Sequence, residues 1–234
     1  METAPATESD VATVAPIHRG LAAKALLPAQ HLVDAGYPDA DHLVTSRTEY
    51  GVDLLGPVHA DSSWQARAAA GFDLTAFAID WGARPVTCPQ GKTSQEGRPA
   101  QDRHGNPTLH VACAPGDRLG WAQRTPCAHA ATGPRELRPR PAAQRAALQA
   151  ARPRQTTPEF RAQYAQRAGV EGTLSQGVRA FELRRTRCRG LPKTHLQPLA
   201  TAAAIDLARL DAWWTDTPRA ATRPAAFLRL LPAA

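Results

Sequence analysis

Two short apolar runs, each ended by glycine, constrain the fold of this 234-residue chain more than any other feature. The run at residues 31–33 leads into Asp34-Ala35-Gly36, and the run at residues 50–58 is stopped by Gly56-Pro57. Short apolar runs bounded by turn residues are typical of buried strands. Helix-forming patterns occupy residues 17–27, 141–152 and 194–215, the last with an apolar stripe from Leu196 to Trp214, and residues 38–44 fit a single helical turn. Together these patterns predict a mixed α/β fold.

The middle of the chain has a weaker pattern. Residues 72–88 read as a β-hairpin around Gly82, whereas residues 89–141 are rich in loop-forming Gly, Pro and His. So long an aperiodic stretch is unusual in a compact domain and favours an inserted subdomain. Thr157-Pro158-Glu159 then predicts a helix start, with Thr as N-cap, Pro at the first position and an acid in the first turn.

The positive charge is concentrated at one end. The formal net charge is +7, and 25 of the 28 basic residues are arginine. Residues 1–150 carry 14 basic and 15 acidic groups, whereas residues 151–234 carry 14 basic and 6 acidic groups. Such asymmetry favours a polyanionic partner such as nucleic acid. A solvated basic helix face is the alternative.

Two acids stand out by their positions. Asp34 follows the first apolar run, where α/β sheets place their sites, although an Asp before Gly is also a common turn residue. Glu171 follows Tyr164 by seven residues and Arg167 by four, so one continuous helix would carry all three on a single face. An ordinary Arg–Glu surface pair has the same spacing.

Four stretches carry a family resemblance: HLVDAGY, TSRTEYGVDLLGPV, FAIDWGARPVTCPQGKTS and YAQRAGVEGTLSQGVRAFELRRTRCRGLPKTHLQ. With them the chain, over roughly residues 17–215, resembles the DDE-type transposases of bacterial insertion sequences. More narrowly, it resembles the branch with a Cys-containing insertion before the catalytic Glu. The resemblance implies an RNase H-like fold whose acids hold two Mg²⁺ or Mn²⁺ ions, and double-stranded DNA as partner. Carboxylate oxygens are suitable ligands for such ions.

The resemblance also implies roles for single residues. Asp34 matches the second Asp of the family, and Glu171 matches the catalytic Glu of the Tyr-x-x-Arg-x-x-x-Glu signature that begins at Tyr164 and includes Arg167. Where the family often has a basic residue seven places after the Glu, this chain has Val178, with Arg179 one place later. The other basic residues expected to contact DNA are Arg184, Arg185, Arg187 and Lys193.

One family feature has no counterpart that we can find. The first of the three catalytic acids belongs on an opening strand, yet Glu2, Glu8 and Asp10 lie in a polar stretch without a strand pattern. The expectation is an N-terminally truncated core that is inactive alone, because two-metal chemistry needs the full set of acids. The alternative is a non-catalytic DNA-binding remnant that inhibits transposition or occupies element ends.

The cysteines also depart from the family pattern. Cys88, Cys113 and Cys127 are widely spaced rather than clustered. His110, Cys113, Cys127 and His129 offer four zinc ligands in number, but no CxxC knuckle is present, which favours free thiols over zinc.

The predicted organisation has five parts. They are a disordered N-terminus (1–16), a partial RNase H-like core with the second Asp (17–71), an insertion (72–140), a C-terminal helical part of the core with the Glu (141–217) and a tail (218–234). No apolar stretch is long enough to span a membrane, and no secretory signal is evident. We therefore expect a cytoplasmic, nucleoid-associated protein whose partners include DNA and a second copy or a full-length transposase.

Overall fold

The computed structural model describes residues 2–5, 7–113, 124–128, 134–186 and 188–218. Residue contacts divide the chain into two compact units. The first unit is Ala6–Arg167, and the second unit combines Met1–Pro5 with Ala168–Ala234. Small sheets and helices alternate along the first unit, in agreement with the predicted mixed α/β class. Within the described residues, no helix combines the length and apolar composition that crossing a bilayer requires.

The first unit begins with a short α/β segment. Its elements are a 3-10 helix (Asp10–Thr13), α1 (Val14–Ala22), β1 (Gln30–Leu32), α2 (Ala40–Tyr50), β2 (Asp53–Leu55) and α3 (Trp64–Ala68). β1 and β2 pair in parallel with His31 opposite Leu54, and α2 forms the crossover between them. Val14, Val33 and Leu54 form the buried core beneath this pair.

Local signals set the ends of α2. The Asp39 carboxylate accepts a hydrogen bond from the backbone N–H of His42 at 2.7 Å, which caps the first turn. At the other end Gly51 has a φ of 67°, a left-handed conformation that glycine adopts without steric cost. The helix is therefore longer than the single turn that the sequence predicts over residues 38–44. α1 begins earlier than predicted, at Val14, inside the segment expected to lack order.

The remainder of the first unit is an antiparallel region followed by helices. Its elements are a 3-10 helix (Leu74–Ala76), β3 (Ala78–Ile79), β4 (Val86–Thr87), β5 (Arg98–Gln101), β6 (Pro107–Ala112), α4 (Arg124–Cys127), β7 (Glu136–Leu137), α5 (Ala142–Arg154) and α6 (Pro158–Ala165). β3 and β4 pair around Gly82, which confirms the predicted hairpin.

The stretch expected to be loop-rich contains a three-stranded antiparallel sheet in the order β5-β6-β7. Its hairpin turn is organised by Asp102. The Asp102 carboxylate accepts hydrogen bonds from the backbone N–H of His104, the backbone N–H of Asn106 and the side-chain amide of Asn106. These bonds, with the Asn106 side chain foremost, lower the pKa of Asp102 to about 2. The left-handed Gly105 completes the turn.

A second core lies under this sheet. Phe77, Val86, Leu109, Val111 and Leu137 are its buried members. Arg135 is buried beside it, donating to the carbonyl oxygens of Phe72 at 2.7 Å and Cys127 at 2.9 Å. Its guanidinium carbon also lies 4.6 Å from the centre of the Phe77 ring, so its charge is met by carbonyl dipoles and a ring face.

The helix start at Thr157 is confirmed. The Thr157 hydroxyl accepts a hydrogen bond from the backbone N–H of Phe160 at 3.2 Å, and Pro158 occupies the first turn of α6. The helix expected to continue through Arg167 ends at Ala165, so Tyr164, Arg167 and Glu171 do not share one continuous helix. The structure has two helices there, α6 and α7 (Ala168–Ala180), and the backbone N–H of Arg167 bonds to the carbonyl of Tyr164 at 3.0 Å. This three-residue bond tightens the chain at the end of α6, and Gly169 follows with low helix propensity.

The second unit is built on α7 and α8 (Leu191–Trp214). The two helices approach at Gly177, where an added Cβ would lie 3.1 Å from Leu183 and 3.4 Å from Ile205. The helix predicted over residues 194–215 is therefore present. Most of its apolar stripe is exposed, however, and only Ile205 of the stripe is buried. The predicted DNA contact Arg187, the predicted zinc ligand His129 and nearly all of the predicted tail lie outside the described residues.

Candidate functional site

Asp34 lies just beyond the carboxyl end of β1. The backbone N–H of Val33 still bonds to the carbonyl of Leu55 at 2.9 Å, and the chain turns immediately afterwards. The Asp34 Oδ1 accepts a hydrogen bond from the backbone N–H of Ala35 at 2.7 Å. An acid at this edge of a parallel strand pair occupies the position where α/β sheets present their sites.

Gly56 allows the two strand ends to approach. A Cβ at this position would lie 2.7 Å from the Val33 carbonyl oxygen and 2.9 Å from the Pro38 side chain. Neither the backbone nor a packed proline can yield cheaply, so a side chain would push apart the two strand ends. The glycine that ends the second apolar run in the sequence thus holds the loop that carries Asp34.

Arg167 forms an ion pair with Asp34. Its Nη2 lies 3.0 Å from Asp34 Oδ2, and the side chains of Arg167 and Asp34 are 25% and 54% exposed. The structure thus joins Arg167 of the predicted signature to the other predicted acid, Asp34. A partly exposed pair of this kind stabilises a fold by no more than about 1 kcal/mol, so its effect is mainly on the orientation of the carboxylate.

Two tyrosines belong to this region. Tyr164, predicted as part of the signature, stacks its ring on that of Phe160 with centres 5.7 Å apart. Tyr37 packs against the core of Val14, Val33 and Leu54, and its pKa is raised by burial first and by Asp10 and Asp34 next. Tyr37 is not among the residues predicted from the sequence, although its position three residues after Asp34 in one tight turn is a usable signal.

Asp53 is the other acid on the strand pair, and it has a structural role. It begins β2, opposite Gln30, so it lies at the amino edge rather than the carboxyl edge. Arg154 of α5 donates to both of its carboxylate oxygens, at 2.9 and 2.7 Å. These bonds lower the pKa of Asp53 below its usual range. The pair fastens α5 to the sheet.

Glu171 lies in the second unit, in the first turn of α7. It lines a shallow groove together with Leu174, Ser175 and Val178 of the same helix face and with Arg179 and Arg184. We call this the Glu171 groove. Three residues of the predicted set, Glu171, Arg179 and Arg184, are thus brought together around one surface. The one-place offset of the basic residue still leaves Arg179 beside the groove.

The remaining described basic residues of the second unit are exposed. Arg185 lies in the segment between α7 and α8, and its carbonyl accepts a hydrogen bond from the Gln197 side chain at 2.6 Å. Lys193 lies in the first turn of α8. Exposed cations on a connecting segment are accessible to a polyanion, which is the property that the charge asymmetry predicted.

Two of the four possible zinc ligands, His110 and Cys127, have other neighbours. His110 Nε2 lies 3.2 Å from the Glu136 carboxylate, and the Cys127 sulfur accepts a hydrogen bond from Arg135 at 3.3 Å. Within the described part of the chain, no group of three or more His, Cys, Asp or Glu side chains is placed to hold a metal ion.

Asp34 and Glu171 are chemically suitable ligands for Mg²⁺ or Mn²⁺, but two carboxylates are fewer than a two-metal site requires. Asp34 and Glu171 are carboxylates, the ligand type that these hard cations prefer. Each belongs to a different unit, and the described residues supply no third acid grouped with either one. The residues therefore do not fit a complete two-metal site.

A comparison with protein families identifies the chain. Residues 87–211 match a family model described as a transposase DDE domain, and this range is more than half of the sequence. The chain belongs to the transposase DDE domain family. The matched range of the DDE domain includes Tyr164, Arg167 and Glu171, whereas Asp34 lies before it. Neither a search of curated proteins nor a search of solved structures gave a match.

Proposed function

We propose that this DDE domain acts in DNA transposition, as a transposase or as the C-terminal portion of one on an RNase H-like core. The observation that carries the proposal is the family match across the Tyr164–Glu171 signature together with a groove that joins Glu171 to Arg179 and Arg184. A carboxylate beside arginines is the combination that a phosphodiester substrate requires, because the arginines hold phosphate and the acid serves the reacting centre.

Asp34 and Glu171 are the proposed metal ligands, for Mg²⁺ or Mn²⁺. Bound divalent ions activate the attacking oxygen and stabilise the leaving oxygen in phosphodiester chemistry. The described residues lack a third grouped acid, so we propose that the 234-residue chain alone does not cleave DNA. Cleavage then depends on a further carboxylate from outside the described residues, such as one supplied by a full-length transposase or an upstream fragment.

A non-catalytic role is the second candidate. The shortage of grouped acids and the surplus of exposed arginines suit a DNA-binding remnant that occupies element ends. It predicts that the chain, added to an active relative, lowers strand transfer in proportion to its DNA binding. Either role places the protein in the cytoplasm with the nucleoid and allows mixed or homo-oligomers.

The deciding experiment is strand nicking by the purified chain. The substrate is labelled duplex DNA that carries the flanks of the chain's own gene, incubated with Mg²⁺ or Mn²⁺. Glu171→Gln is compared with Glu159→Gln, a matched loss of an exposed acid from the first turn of α6. We expect DNA binding that weakens with salt and no nicking by any of the three proteins.

Two results would change the proposal. Metal-dependent nicking that is lost in Glu171→Gln and kept in Glu159→Gln would show a complete site and overturn the claimed incompleteness. Absence of DNA binding at every salt concentration would overturn a role in transposition for this chain. Nicking that appears only after an upstream fragment is added would support a divided active site.

A further inference from the structure

A second basic groove lies in the first unit, on the face of α5. Four arginines line it, and Asp61 is the single acid among its lining residues. We call it the arginine groove, and its charged lining among the described residues is Asp61, Arg138, Arg140, Arg145 and Arg152. We propose that the arginine groove binds the phosphodiester backbone of duplex DNA, as a contact surface additional to the Glu171 groove. The inference rests on the proposed function, which supplies DNA as the partner.

Two elements bring these arginines together. On α5, Arg145, Gln149 and Arg152 are spaced by four and then three residues, so they share one helical face. In the extended segment before α5, Leu137 and Pro139 are buried, so the alternating Arg138 and Arg140 point outward. The groove thus combines one helix face with one face of an extended segment.

The contacts of these arginines leave positive charge available. Arg145 donates to the carbonyl oxygens of Leu74 at 2.9 Å and Phe77 at 3.2 Å, and Arg152 donates to the carbonyl of His59 at 3.2 Å. Carbonyl groups hold a guanidinium in place without neutralising it. Burial lowers the pKa of Arg145 from its ordinary value, with the Asp73 carboxylate acting against the shift, and an arginine side chain stays charged at neutral pH.

The other two arginines form ion pairs with carboxylates that do not line the groove. Among the described residues, Arg138 lies 3.8 Å from Glu136 and Arg140 lies 3.4 Å from Asp102. Asp61 itself accepts a hydrogen bond from the backbone N–H of Ser63 at 2.9 Å. The described lining itself therefore has four positive charges and one negative charge, and an anionic ligand would reduce the repulsion between its arginines.

The spread of the charges favours a chain of phosphates over one small anion. Arg145 and Arg152 are seven residues apart on a helix, a rise of about 10 Å, which exceeds the size of a single phosphate group. A phosphodiester backbone repeats its charge along its length and can meet several guanidinium forks at once. Guanidinium groups spaced this far apart cannot all contact one small anion.

The test is DNA binding across a salt series. The double variant R138Q/R152Q removes two groove charges, and R19Q/R67Q removes two exposed arginines of the first unit that do not line the groove. Anisotropy of labelled duplex DNA gives the affinity at each salt concentration. Losing two phosphate contacts lowers the slope of log K against log salt by about 1.8 and weakens binding on the order of 60-fold at 0.1 M salt.

A further variant removes a negative charge from the groove instead of positive charges. D61N removes the only acid of the groove while keeping an oxygen for the Ser63 N–H, so we expect tighter binding with a steeper salt slope. Thermal unfolding of each variant establishes that it is folded. If R138Q/R152Q and D61N both bind like wild type while wild type binds DNA in a salt-dependent way, the inference is overturned and the proposed function stands. If wild type binds no DNA, both fail together.

Discussion

The two units differ in what their apolar residues contact. In the first unit, Val52, Leu54 and Leu55 are almost completely buried, and Phe77, Val86 and Val111 form a second core. In the second unit, the large apolar side chains of α8 point largely into solvent, and Trp214 is 83% exposed. The first unit thus holds itself together through its own side chains, whereas the second depends on the narrow contact at Gly177.

The two predicted acids therefore lie in units that differ in how well they are packed. The better-packed unit presents Asp34 on a rigid strand end, and the less-packed unit presents Glu171 on a helix pair with few buried contacts. Opening free energies are low where buried apolar contacts are few, so amide exchange should be faster in α7 and α8 than in β1, β2 and β6.

The largest expected effect is the difference in unfolding free energy between two leucine variants, one in each unit. Leu55→Ala removes a side chain that is 1% exposed, and we expect a loss of about 2–5 kcal/mol in the free energy of unfolding. Leu207→Ala removes one that is 67% exposed, with an expected change within about 0.5 kcal/mol. Urea unfolding of both variants measures the contrast. Equal losses would show that the α8 face is covered in solution and would end the comparison.

The next effect concerns the strand ends of the first unit. Gly56→Ala places a Cβ against the Val33 carbonyl, and we expect a loss of about 1–3 kcal/mol. Gly36→Ala, in the neighbouring turn, meets no atom within 4 Å and serves as the control, with little loss or a slight gain. Thermal unfolding reports both. A neutral Gly56→Ala would mean that the edge carrying Asp34 is softer than its packing indicates.

A third prediction concerns how the stability of the first unit changes as the pH falls. His18 Nε2 lies 3.0 Å from His31 Nδ1, with His42 and Tyr50 as the other titratable neighbours, and burial lowers the pKa of both His18 and His31. The unfolded chain therefore binds protons near pH 6.5 that the folded chain does not, and stability falls as the pH drops below that value.

His42 acts in the opposite direction. Its hydrogen bond to Asp39 raises its pKa, so its contribution is present at low pH and is lost as the pH rises through the raised value. In His31→Asn, which keeps a polar atom near the Nδ1 position, we expect the decline in stability between pH 7.5 and 5.5 to be shallower by about 1 kcal/mol. An unchanged pH profile would contradict the assigned cause.

The smallest effect compares two arginines that join elements. Arg154→Gln breaks the two-pronged bond to Asp53, and we expect a loss of about 0.5–1 kcal/mol at neutral pH because both partners are partly exposed. Since the folded pKa of Asp53 is depressed, the loss should vanish as the pH falls through it. Arg209→Gln removes a bond to the Thr173 hydroxyl and should cost only a few tenths of a kcal/mol. A larger loss of unfolding free energy for Arg209→Gln than for Arg154→Gln would contradict this prediction.

Local chemistry made part of this molecule predictable. The run before Asp34, the glycine turn, the hairpin around Gly82 and the Thr157 cap each depend on a few neighbouring residues, and the structure has all of them. The parallel pairing of β1 with β2 was not predicted, and β2 is shorter than the apolar run at residues 50–58 indicates.

The remainder depends on contacts between distant residues. Arg135 is an ordinary surface residue by composition, and only the fold brings Phe72 and Cys127 to it. Periodicity identified the stripe on α8 but carries no information about what covers a stripe. The helix break before Glu171 lies between Ala165 and Ala168, where the spacing of apolar and charged residues carries no signal for a helix end.

The Asp102 turn bears on the order in which the chain folds. Its hydrogen bonds join residues at most four positions apart, so closing the β5–β6 hairpin costs little chain entropy and takes about 1–10 μs. β1 and β2 must instead wait for α2 to form and cross over between them. The segment whose sequence looks least ordered would then provide an early nucleus, and the strand that positions Asp34 would settle later.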